Sequence, residues 1–124
     1  MNLSERNFST IARLLIVAAG LYGALGVALS AMEAHGGGAF TGTAASFLLM
    51  HAPELLVIGL AGGNRILRAG GMTLLVGLIV FSGDLLARDL LGSRVFPLAA
   101  PVGGTLLMAG WLAIAASALM PQRR

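Results

Sequence analysis

The sequence predicts an all-α integral membrane protein, a four-transmembrane-helix bundle with both termini in the cytoplasm. Three observations predict it. Hydrophobic residues make up 57% of the chain and charged residues only 10%, far from the roughly 25% charged residues of a soluble domain. The mean hydropathy is +0.90, and the apolar residues gather into four runs of about 20, the number that crosses a hydrocarbon core of about 30 Å. The arginines cluster between alternate runs, as they do in cytoplasmic loops. No stretch is left over for a soluble domain, so residues 1–124 read as a single integral membrane domain.

The first span is expected at 11–33. Within it Gly20, Gly23 and Gly26 recur every third residue beside Ala19, Ala24, Ala28 and Ser30. Small side chains let a second backbone approach closely, which is how helices associate where lipid is as apolar as leucine. Arg6 and Arg13 precede this run, as charges precede a secretory signal. The uncharged stretch from Leu14 to Met32 is longer than the roughly 7–15 residues of a signal core, however, so the span is predicted to be retained. A Gly36-Gly37-Gly38 turn leads to the second span, 43–61, which contains His51, Pro53 and Glu54. From Gly62 to Gly71, glycines and Asn64 surround Arg65 and Arg68, and the stretch reads as a short loop. The third span, 71–91, carries Asp84, Arg88 and Asp89 in its second half, and Arg94 and Pro97 then interrupt. No charged residue occurs between Val95 and Gln122, which places the fourth span at 98–119.

Orientation follows from the arginines, eight in all with no lysine. Arg6, Arg13, Arg65, Arg68, Arg123 and Arg124 fall on one side, while Arg88 and Arg94 on the other are offset by Asp84 and Asp89. The excess of positive charge marks the cytoplasmic side, which puts both termini there.

Several function classes are excluded. There is no cysteine, hence no disulfide, thiolate metal site or cysteine nucleophile. No basic cluster is interleaved with aromatics, so nucleic acid is not a partner. No phosphate-cradling loop, dinucleotide fingerprint or serine nucleophile constellation is present. Ser82, between Phe81 and Gly83 within a span, has no obvious base or oxyanion hole.

The candidates for chemistry are the ionisable residues within spans, since each costs about 2.5–3.5 kcal/mol on insertion scales and is expected to face the bundle interior. His51 and Glu54, three apart on one helix, face the same way. They either form a hydrogen-bonded structural pair, bind a metal, or relay protons. Asp84 would complete a metal site across the second and third spans, with Glu33 and His35 near the surface as further candidate ligands. The plain alternative for Asp84 is an ion pair with Arg88, four residues on. Pro53 removes a backbone donor and frees the carbonyl of Leu49, which either kinks the helix or offers an oxygen ligand. Trp111 and the methionines are expected to pack the bundle.

Phe81-Ser82-Gly83 in the third span, Pro101-Val102-Gly103-Gly104 opening the fourth and Gly110-Trp111 within it form an ordered set. With Ala34-His35-Gly36 and His51-Ala52, the set resembles the YgdD-like family of small membrane proteins. That family has an FSGSLY-type third helix, a proline-glycine-glycine turn and a GW pair. The resemblance covers nearly the whole chain and implies a four-helix inner-membrane fold with no established activity. It marks Pro101, Gly103, Gly104 and Trp111 as structural, and Pro53 and Arg88 are expected to be structural on their own chemistry. The departures lie at Glu33, Glu54 and Asp84, which stand where the family pattern has glycine, alanine and serine, and at Pro53, which replaces an apolar residue. Three acids gained together imply a compensating cation, whether an arginine, a histidine, a metal ion or a partner. A small multidrug transporter also has about four helices and a membrane-embedded glutamate. Its essential acid lies in the first span, whereas the first span here is uncharged from Leu14 to Met32.

The expectation is therefore a non-enzymatic accessory or assembly subunit of the bacterial inner membrane, in contact with the lipid bilayer and with other membrane subunits or copies of itself. The alternative is a metal-binding or proton- or solute-translocating protein that uses the outer-half His/Glu/Asp cluster.

Overall fold

The computed structural model describes residues 7–121. Four helices are long and apolar enough to cross a membrane: α1 (Thr10–Ala34), α2 (Ala39–Ala61), α3 (Arg65–Leu91) and α4 (Ala99–Ser117). Two of them, α1 and α3, begin at a side chain that satisfies a free N–H group of the first turn. Ser9 caps α1, its side chain accepting from the Ala12 N–H at 3.1 Å. Asn64 caps α3 by accepting from Leu67 N–H at 2.9 Å, and its amide donates to the Ser117 carbonyl at 2.9 Å, tying the start of α3 to the end of α4.

Two helices start earlier than the sequence suggested. α2 begins at Ala39 rather than 43, because Asp89 of α3 reaches across to its first turn and accepts from both the N–H and the Oγ1 of Thr41. α3 begins at Arg65 rather than 71. Only Gly62 and Gly63, with φ of 77° and 71°, make the turn. Gly70 and Gly71, expected in a loop, are buried inside α3 against α4 and against Ile58 and Leu15.

The bundle is open. α1 packs on α2 and α4 on α3, α2 joins α3 through a thinner seam, and α1 touches α3 marginally. Among the described residues the backbone of α4 approaches neither α1 nor α2. A core of Leu15, Leu48, Leu55, Ile58, Leu74 and Leu78, each almost fully buried, fills the centre of this row. The α3–α4 contact rests on glycines two turns apart on each helix: Gly70 and Gly77 lie against Gly110 and Gly103, with carbonyl oxygens where side chains would otherwise stand. Between α1 and α2, Leu49 lies over Gly26 and Ile16 over Gly59. The Tyr22 hydroxyl donates to the Leu75 carbonyl at 2.9 Å, fastening α1 to α3.

Candidate functional site

The helix termini put the α1–α2 and α3–α4 connections at one end of the molecule, and Glu33, His35, Asp84, Arg88, Asp89 and Arg94 lie toward that end. Asp84, fully buried near the end of α3, accepts from Arg88 Nη2 at 2.8 Å and from the Val95 N–H at 2.9 Å. It thereby pins the α3–α4 connection to the helix that precedes it. The Arg88 guanidinium lies 5.2 Å from the centre of the Phe40 ring, a cation–π distance. The expected Asp84–Arg88 ion pair is thus present. Glu33 is exposed and lies over Gly42, and exposed His35 places Nδ1 2.8 Å from the carbonyl of Ala31 in its own helix.

His51 is buried at the middle of α2. Its Nδ1 lies 2.8 Å from the Phe47 carbonyl, which can only accept, and its Nε2 lies 3.1 Å from the Trp111 indole nitrogen, which can only donate. The two partners fix the tautomer: the proton sits on Nδ1 and Nε2 accepts. Both ring nitrogens are engaged, and the His51–Trp111 bond spans α2 and α4 where their backbones stand apart.

Glu54 is half-buried, with no hydrogen bond or ion pair among the described residues. It lies seven residues from the end of α2, about 10 Å along the helix, and so nearer the end that bears the termini. His51, Glu54 and Asp84 thus sit at three depths. Among the described residues no three histidine, aspartate or glutamate side chains gather as a metal cage. Pro53 is exposed on α2. Of the residues expected to be structural, Gly103 is pressed against the Phe81 backbone, Pro101 opens α4, and Trp111 both packs and donates.

The gap between α2 and α4 is a lateral groove of about 800 Å³. Its walls are Phe47, Met50 and His51 on one side and Pro101, Gly104, Thr105, Met108 and Trp111 on the other, with Phe81 of α3 as its floor. Arg88 and Arg94 stand at the connection end. Phe47 and Phe81 meet with ring centres 4.6 Å apart, and Phe47 stacks on His51. Sequence reading missed this groove and the Asp89 bonds to Thr41. The one available signal was the lone tryptophan, a donor that seeks an acceptor when it is in an apolar setting, with one histidine at mid-span in another helix.

Four apolar helices, short connections and a polar cluster at one end define a small integral membrane protein. The chain belongs to the family described as protein of unknown function DUF423, whose family model matches residues 18–104. The matched stretch takes in Phe81-Ser82-Gly83 and Pro101-Val102-Gly103-Gly104 and ends before Gly110-Trp111. A UPF0382 membrane protein of Haemophilus influenzae is 30% identical over 99 residues, covering 72% of this chain and 80% of that protein. A UPF0382 membrane protein of Staphylococcus epidermidis is 33% identical over 78 residues, covering 61% of this chain and 64% of its own length. One of Staphylococcus haemolyticus is 32% identical over 71 residues, covering 56% and 58%. No solved structure matches the chain.

Proposed function

We propose that the protein is a non-enzymatic accessory or assembly subunit of a membrane complex, resident in the bacterial inner membrane with both termini in the cytoplasm. The observation that carries this reading is the uncovered outer face of α1. Gly20, Ala24 and Ala28 recur there every fourth residue and are exposed, and a Cβ built on Gly20 would meet nothing within 4 Å. Only 28% of the apolar window of α1 is buried, and 22% of that of α4, against 44% and 50% for α2 and α3. Small residues four apart on a lipid-facing helix let a second transmembrane helix come close. Orientation is supported by Arg13, Arg65 and Arg68 at the end that bears the termini. Arg6, Arg123 and Arg124, which carry the rest of that excess, lie outside the described residues. The metal or proton reading draws less support from the geometry, since the His51 nitrogens and both Asp84 oxygens already have partners.

The test is crosslinking in native membranes followed by purification in a mild detergent, with Gly20→Leu and Ala24→Leu as variants. A partner in fixed ratio, lost when the face is filled, is the expected outcome. Recovery of the same species from both variants, or of an unpartnered chain from wild type, would overturn the reading.

A further inference from the structure

The lateral groove and the charges at its rim point to an occupant. From Pro101 to Trp111 the α4 wall runs ten residues, about 15 Å. That is half the hydrocarbon thickness of about 30 Å. At its inner end the His51–Trp111 hydrogen bond crosses from α2 to α4 and closes the way. A partner helix would need the whole span, whereas the chain of a lipid needs one leaflet. The walls between are apolar and aromatic, with Phe47, Met50, Phe81 and Met108 facing the space.

The rim is cationic. Arg88 is neutralised by Asp84, but Arg94 is exposed and has no acidic partner among the described residues. It stands in a connection whose apolar side chains are uncovered, with Val95, Phe96 and Leu98 at 60%, 43% and 62% exposure. Such a segment rests at the level of the lipid headgroups, where a long arginine side chain holds its charge in the polar layer.

We propose that the groove between α2 and α4 binds one acyl chain of an anionic phospholipid, with the phosphate held by Arg94 at the rim. The chain lies along Phe81, its terminal carbons reach the His51–Trp111 bridge, and Gly104 leaves the width it needs. A Cβ on Gly104 would come no nearer than 4.0 Å to Phe81, so that position is open towards the groove. Neither the accessory role nor the orientation of the chain is needed for this inference.

The experiment is native mass spectrometry of the purified protein equilibrated with equal amounts of phosphatidylglycerol and phosphatidylcholine of matched chains. One arginine at the membrane surface gives an expected preference of about fivefold for the anionic lipid. Arg94→Gln, on the surface and outside any helix, is expected to bring the ratio near unity with total occupancy little changed. Gly104→Leu is expected to lose both lipids while its thermal unfolding matches wild type. If it fails to fold, Thr105→Phe on the same exposed wall gives the same reading. Equal retention of the two lipids by wild type would overturn the proposal. So would undiminished lipid in a folded groove-filling variant, or a lipid-free dimer in which a second copy occupies the groove.

Discussion

Asp89 shows how much of this molecule depends on single polar contacts made between helices. Gly38, at the N-cap of α2, has no side chain to cap with, and a carboxylate from another helix accepts the bonds instead. An anion at a helix N-terminus is favoured by the partial positive charge there. Thr41 is almost fully buried, so removing the acceptor strands a buried N–H and a buried hydroxyl. Asp89→Ala is therefore expected to lower stability by about 2–3 kcal/mol. Asp89→Asn, which still offers an oxygen, should lose only about 1 kcal/mol. Thermal or denaturant unfolding in micelles measures both, and equal losses would refute the capping role. Such a cap was illegible in the sequence because donor and acceptor are 48 residues apart. The Asp84–Arg88 pair was legible because four residues along one helix place two side chains together whatever the tertiary fold.

At the scale of the helices, glycine was the residue most open to misreading. Gly62 and Gly63 turn the chain with positive φ, whereas Gly70 and Gly71 let helices approach, and nothing in the local sequence separates the two uses. Within the Pro101-Val102-Gly103-Gly104 motif the two glycines likewise differ. A Cβ on Gly103 would fall 2.5 Å from the Phe81 backbone nitrogen, while one on Gly104 meets only open space and the edge of a ring. Gly103→Val is thus expected to force α3 and α4 apart and cost about 1–3 kcal/mol. Gly104→Val should stay within about 0.5 kcal/mol of wild type. The apparent melting temperatures of the two variants decide this, and similar values would show that the seam is looser than the contacts imply.

At the scale of the whole molecule, hydropathy revealed four spans because burial in lipid requires length and apolarity, both of which are written in composition. It did not reveal their lateral order. Lipid and protein interior are about equally apolar, so a helix face carries little record of which it meets. The open row, the groove and the meeting of His51 with Trp111 all depend on that order. Orientation belongs to this scale too. A periplasm-active reporter fused after Arg124 is expected to stay inactive and a cytoplasm-active one to function. The reverse pattern would overturn the proposed orientation and place Arg88 and Arg94 at the cytoplasmic leaflet.

The His51–Trp111 bridge has one more consequence, because the chain contains a single tryptophan. All indole fluorescence from the protein arises at the inner end of the groove, from a ring bonded to an imidazole and in contact with whatever fills the space. The molecule therefore carries its own optical gauge there, requiring no label: emission wavelength reports the polarity beside α4, and quenching reports how near the occupant comes.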